Sequence, residues 1–159
     1  MRGRRAIPGG GDRLEAGDGL QEDRVADSKN LTGVRVMVID DSNTIRRSAE
    51  IFLLQAGCQV ILAENGFDAL AKIADHQPDL IFVDIMMPRL DGYQTCALIK
   101  KSGKHRTIPV IMLSSKDSLF DRARGRMVGS DEYLTKPFTK ESLLRTVESH
   151  LALAQRSPA

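Results

Sequence analysis

Five short apolar runs, each followed by a stretch of helical periodicity, constrain this 159-residue chain more than any other feature. They fall at residues 34–39, 58–63, 80–83, 110–113 and 132–135. The third is the sharpest: Leu80-Ile81-Phe82-Val83 is unbroken, and three of its four residues are β-branched or aromatic. An apolar run of that length reads as a strand covered on both faces. It stops at Asp84, after which Pro88 and Asp91-Gly92 turn the chain.

The intervening segments carry helix signals. Ser42 is placed to cap a helix reaching about residue 55, with Ile45, Ala49, Phe52, Leu53 and Ala56 on one face and Gly57 as its stop. A second helix, 65–76, points Ala69, Leu70, Ile73 and Ala74 inward, and Pro78 blocks its extension. A third spans 92–101. The fourth, 116–128, is weak: Gly125 lies inside it, at a cost of about 0.5–1 kcal/mol relative to Ala. Its early acids, Asp117 and Asp121, and later Arg122, Arg124 and Arg126 do suit the helix dipole. Thr139 can cap the last helix, which presents Leu143, Leu144, Val147 and Leu151. Strict strand–helix alternation with right-handed crossovers predicts an α/β fold, a five-stranded parallel sheet between two helical layers.

Composition narrows the function classes. A net charge of +2 gives no strong pull toward nucleic acid or an acidic membrane. No apolar run approaches the length of a membrane span. Cys58 and Cys96 lack metal-type spacing and read as small core residues of a reducing compartment such as the cytoplasm. His76, His105 and His150 are scattered on polar segments and read as surface residues. Residues 1–30 show no apolar periodicity, and their six cations offset six acids. They read as a disordered N-terminal extension, residues 31–154 as the folded domain, and 155–159 as a tail. No DNA-binding module is expected after the last helix.

In a parallel sheet the carboxyl ends of all strands share one edge, where open α/β sheets bind ligands. That edge collects Asp40 and Asp41 from the first strand, Asp84 from the third, Ser114 from the fourth and Lys136 from the fifth. Singly, Asp41 could cap a helix, Ser114 could be a strand-end hydroxyl and Lys136 a solvated loop lysine. Their coincidence at four strand ends favours a site. Two carboxylates 4 Å apart repel by about 1 kcal/mol in water and about 4 near a partly buried surface. The cluster therefore resists full ionisation unless a cation neutralises it. An all-oxygen donor set suits a hard ion such as Mg²⁺. Lys136 suits a phosphoryl oxygen, Ser114 offers a hydroxyl, and Asp84 is a carboxylate able to form an acyl phosphate.

Val38-Ile39-Asp40-Asp41-Ser42, Phe82-Val83-Asp84-Ile85-Met86-Met87-Pro88, Met112-Leu113-Ser114-Ser115 and Thr135-Lys136-Pro137-Phe138 together resemble the receiver domain of two-component response regulators. Residues 36–42, 66–75 and 86–100 are further similar to single-domain receivers of twitching-motility control. The resemblance implies a flavodoxin-like strand order 2-1-3-4-5. It implies Asp84 as the phosphorylation site, with a CheA-like histidine kinase or a histidine phosphotransfer domain as donor. It places Mg²⁺ on Asp41, Asp84 and the Met86 carbonyl, with Asp40 acting largely through water. It sets Ser114 and Lys136 on the phosphoryl oxygens and makes Tyr133 the switch aromatic, turning inward as Ser114 moves. It also implies a cis Lys136-Pro137 bond. Output is expected through protein contacts on the 116–151 face, without nucleic acid or membrane insertion. Met86 and Lys116, two residues beyond Asp84 and Ser114, offer no group to orient an attacking water, so slow self-dephosphorylation is expected. A phosphate sink and a degenerate receiver acting as an interaction module are the alternatives. An aspartate-nucleophile phosphatase would need Asp-x-Asp, but Ser42 stands two beyond Asp40 and Met86 two beyond Asp84.

Overall fold

The computed structural model describes residues 31–115 and 119–156. The chain runs β1 (Arg35–Ile39), α1 (Asn43–Gln55), β2 (Gln59–Ala63), α2 (Gly66–His76), β3 (Leu80–Asp84), α3 (Gly92–Lys101), β4 (Val110–Ser115), α4 (Leu119–Val128), β5 (Glu132–Lys136) and α5 (Lys140–Arg156). All five strands are parallel, in the order β2-β1-β3-β4-β5. The first crossover runs one way and the later ones the other, so the order reverses beside β1 and β3, a switch point where α/β sheets open a crevice.

Burial follows the pleat. Val36, Val38, Leu80, Phe82, Ile111 and Leu113 face one layer, where they pack with Ala49 and Leu53 of α1 and Leu143 and Val147 of α5. Met37, Ile39, Ile81, Val83, Val110 and Met112 face the other, against Ala69 and Ile73 of α2 and Tyr93, Cys96 and Ile99 of α3. Central β3 is buried at every residue, whereas edge strands β2 and β5 are only partly so. Both cysteines are free and buried, as expected of core residues.

Ser42 and Thr139 cap the helices as expected, while Asn65 and Asp91 cap theirs without having been read as caps. Ser42 Oγ accepts from Ile45 N at 3.3 Å, Asn65 Oδ1 from Asp68 N at 2.8 Å, and Thr139 Oγ1 from Ser142 N at 3.0 Å. Asp91 and Gln94 form a reciprocal capping box on α3. Gly57, with φ +93°, follows the Ala56 cap of α1, a left-handed conformation that costs glycine little. At α2 the left-handed cap is Gln77, just before Pro78.

Several expectations need correction. Ala74 is exposed, because the inward face of α2 is only as wide as Ala69, Leu70 and Ile73. His105 and His150 are half-buried rather than superficial. The His105 Nε2 atom is enclosed with no hydrogen-bond partner among the described residues, and the His150 ring pairs with Glu132. Arg124 is exposed, and its guanidinium lies 4.5 Å from the centroid of the Tyr93 ring. Lys116, Asp117 and residues 1–30 lie outside the described residues.

Candidate functional site

Strand register builds the site. Ile39 pairs with Val83, so the next residues, Asp40 and Asp84, come level at the carboxyl edge of two adjacent strands. Asp84 is the last residue of β3 and pairs with Leu113, while Ser115 pairs with Lys136 at the end of β5. Asp40, Asp41 and Asp84 each offer a carboxylate oxygen, and these oxygens all lie within 4.8 Å of one another. The expected constellation is therefore assembled in space, although its members span almost one hundred residues of chain (Lys136 and Asp40 are 96 apart).

The three acids differ in exposure. Asp40 is fully buried, Asp84 is 3% exposed and Asp41 faces solvent. Lys136 Nζ donates to Asp84 Oδ1 at 2.9 Å and to Asp40 Oδ2 at 3.3 Å. The other oxygen of Asp40 accepts from Ser42 N at 2.9 Å. Burial pushes the Asp84 carboxyl up to about 6; the charge of Asp40 adds to this, and the hydrogen bond and charge of Lys136 oppose it. Burial likewise raises Asp40, against its hydrogen bond from Ser42 and the attraction of Lys136. For Lys136, burial disfavours the ammonium, but the hydrogen bond to Asp84 and the two carboxylate charges more than offset it, so its pKa is raised.

One ammonium thus pairs with two of three clustered carboxylates, leaving a local excess of negative charge. A small divalent cation is the natural complement, and the donors are oxygens without a sulfur or imidazole. The residues present fit Mg²⁺, which retains waters and needs only one or two carboxylates from a protein.

Ser114 and Met86 adjoin these strand ends, whereas Tyr133 lies further back on β5, paired with Met112. Ser114 is 6% exposed, and its hydroxyl donates to the Ser115 carbonyl at 2.7 Å. Met86 is 75% exposed, with its N–H 3.4 Å from Asp84 Oδ1. The Lys136-Pro137 bond is cis, as the resemblance implied. Tyr133 is half-buried on β5, with its hydroxyl enclosed.

Two residues at the site carry no distinct sequence signal. Arg46 of α1 reaches back so that Nη1 donates to the Asp40 carbonyl at 2.6 Å, while its other terminal nitrogen meets Asn43. It holds the peptide plane that joins the two adjacent acids. Gly92 opens α3 where the sequence expects that helix to begin, but nothing local marks its contact with the site. A Cβ there would collide with the Asp84 carbonyl and come within 2.7 Å of Ile85 Cα. Its N–H donates to the Ile85 carbonyl at 2.9 Å.

Comparisons with known proteins agree with this geometry. Residues 36–148 match the family model described as "Response regulator receiver domain". The chain is 68% identical over 119 residues to Protein PilG of Pseudomonas aeruginosa, covering 75% of this chain and 88% of that one. It is 39% identical to the response regulator MprA of a Mycobacterium species over 74% of this chain, and spans 50% of that relative's length. Among solved structures, chemotaxis protein CheY4 of Vibrio cholerae superposes with a TM-score of 0.72 at 31% identity, covering 74% of this chain and 98% of that one. The chain belongs to the response regulator receiver domain family.

Proposed function

We propose that residues 31–154 form a phospho-switch that takes a phosphoryl group on Asp84 from a histidine kinase or a histidine phosphotransfer domain. The Lys136–Asp84 hydrogen bond beside the other two acids carries the reading most directly. An Asp84 oxygen attacks phosphorus as the phosphorus–nitrogen bond of the phosphohistidine breaks. The bonding pair returns to the imidazole, and the new bond is an acyl phosphate. Lys136 is already within hydrogen-bond reach of that carboxylate, where its charge offsets negative charge developing on the phosphoryl oxygens. Asp41, Asp84 and the Met86 carbonyl would hold Mg²⁺, with Asp40 behind them; the ion, when bound, supplies further neutralisation of those oxygens.

Signalling follows from charge. The phosphoryl group adds about −1.5 to −2 charge and three acceptors. Ser114, now hydrogen-bonded to its neighbour's carbonyl, is the hydroxyl nearest in register able to turn toward it, and Tyr133 follows on the adjacent strand. The affected surface is the 116–151 face, on which Arg122 and Arg126 are exposed. It suits an acidic segment of a protein partner. Catalysis is confined to the molecule's own phosphorylation and dephosphorylation. Similarity to PilG supports a place in twitching or chemotaxis-like control, in the cytoplasm. Among the described residues no helix is long and apolar enough to cross a membrane.

The test is phosphotransfer from a panel of histidine kinases, with Asp84→Asn as control. A labelled species that requires Asp84 and Mg²⁺ is expected. Labelling that survives Asp84→Asn, or none from any donor including small phosphodonors, would overturn the reading and leave a constitutive interaction module.

A further inference from the structure

Gly125 is the one residue inside α4 whose sequence signal disagreed with its position, since an interior glycine is a poor helix former. The structure supplies the reason. Gly125 is buried, and a Cβ built on it would lie 2.6 Å from Tyr133 Oη, 3.0 Å from Tyr133 Cε1 and 2.7 Å from Ser130 Oγ. Real side chains do not approach so closely, so either the ring or the helix would have to move. Ser130 is itself held there, its N–H donating to the Gly125 carbonyl at 2.9 Å. The phenol of Tyr133 therefore reaches the backbone of α4 through the gap where a side chain is missing.

The seat is enclosed but not fully satisfying. The Tyr133 hydroxyl is buried with no hydrogen-bond partner among the described residues, an arrangement that disfavours the seated position. Beside it opens a cleft of about 340 Å³ lined by Arg122, Arg126, Ser130, Asp131, Glu132 and Tyr133. In that cleft the hydroxyl would meet water and charged groups. Tyr133 thus has two environments of opposite merit: a tight seat against α4 without a partner for its hydroxyl, and a polar exit.

We propose that Gly125 is a positioning residue for Tyr133: the notch it leaves in α4 sets the balance between the seated ring and the ring in the cleft. The proposal rests on the switch reading above only in assigning that balance to signalling. The notch itself stands on the packing of the unphosphorylated chain.

The chain has two tyrosines and no tryptophan, so in a Tyr93→Phe background Tyr133 is the only tyrosine fluorophore. Acrylamide quenching of the full chain is measured with and without Gly125→Ala, before and after phosphorylation by acetyl phosphate. Gly125→Ala should move the seated-to-exposed ratio by about tenfold toward the cleft, the scale expected for displacing a packed polar group, and raise the quenching constant accordingly. It should also abolish any phosphorylation-induced change in quenching. An unchanged quenching constant in a protein with the parent circular dichroism spectrum would overturn the proposal. Because Gly125→Ala could also weaken folding, its effect on the urea midpoint is compared with the same change in a Tyr133→Phe background. Removing the hydroxyl takes away the closest contact, so the loss should shrink; an equal loss in both backgrounds overturns the notch. If phosphorylation leaves Tyr133 unmoved in the Gly125 parent while the notch tests succeed, the switch reading falls and the notch remains.

Discussion

Lys136 Nζ sits 2.9 Å from Asp84 Oδ1, across 52 residues of chain and with β4 between their strands. The Lys136 side chain is 19% exposed and that of Asp84 4%, so the pair is poorly screened. Much of the behaviour of the site follows from this one contact and from the second carboxylate, Asp40, that shares the ammonium.

Replacing Lys136 by Met should leave two buried carboxylates without a cation. Removing one partner of a buried ion pair typically costs about 3–5 kcal/mol. Part of that loss is recovered when Asp84 keeps its proton, so the urea midpoint should fall strongly at pH 7.5 and much less at pH 5. Equal losses at the two pH values would contradict the assignment.

The raised pKa of Asp84 makes a signed prediction for the metal-free protein. The unfolded carboxyl titrates near 3.8 and the folded one near about 6, so between those values the folded state binds more protons. Its contribution to stability therefore falls as pH rises from about 4 to about 6, then levels off. A difference of about two units corresponds to roughly 2–3 kcal/mol. Asp84→Asn should flatten this part of the profile and, at pH 7, raise stability. Adding Mg²⁺ at pH 7 should restore the wild-type loss by mass action. Urea titrations across the pH range measure all three.

Asp41 separates binding from folding. It is exposed, and surface substitutions generally change stability by less than about 0.5 kcal/mol. Asp41→Asn should leave the urea midpoint nearly unmoved yet weaken Mg²⁺ binding by about tenfold or more, the scale of losing a charged ligand in a partly buried site. Isothermal titration of the two proteins with MgCl₂ decides it.

Gly92→Ala should instead injure both stability and the site. The added methyl meets the backbone of Asp84 and Ile85, which cannot step aside as a flexible side chain could. Overpacking of this kind costs about 1–3 kcal/mol. Because α3 must lift away from the end of β3, Asp84 should also lose its phosphorylation rate. Denaturation and acetyl phosphate labelling are the paired measurements.

The phosphorylated form should be long-lived when no partner acts on it. Met86 is 75% exposed and presents a thioether, which cannot orient water toward the acyl phosphate as a carboxylate or amide would. Decay followed after removal of the phosphodonor should take far longer than seconds. Met86→Asn should accelerate it.

Local chemistry made much of this molecule legible in advance. Apolar runs of strand length, capping residues such as Ser42 and Thr139, and the stop at Gly57 act over a few residues, so alternating strands and helices could be read directly. The five chemistry-bearing residues were legible because each lies within two residues of a strand's carboxyl end, and parallel strands end at one edge. Ala74 was misread because helical periodicity says which residues share a side, not how wide the covering layer is.

Sequence alone thus determined the alternation of elements, the residues at the carboxyl edge and the kind of chemistry that oxygen donors and one lysine can support. Tertiary structure decided what depends on distance between segments remote in the chain. It set the register that levels Asp40 with Asp84, the reach of Arg46 to the Asp40 carbonyl, and the burial that lifts the Asp84 carboxyl. It also turned Gly125 from an apparent flaw in a helix into the space for the Tyr133 ring. A residue type states what a side chain can do; its solvation and neighbours, which only folding provides, settle which of those things it does.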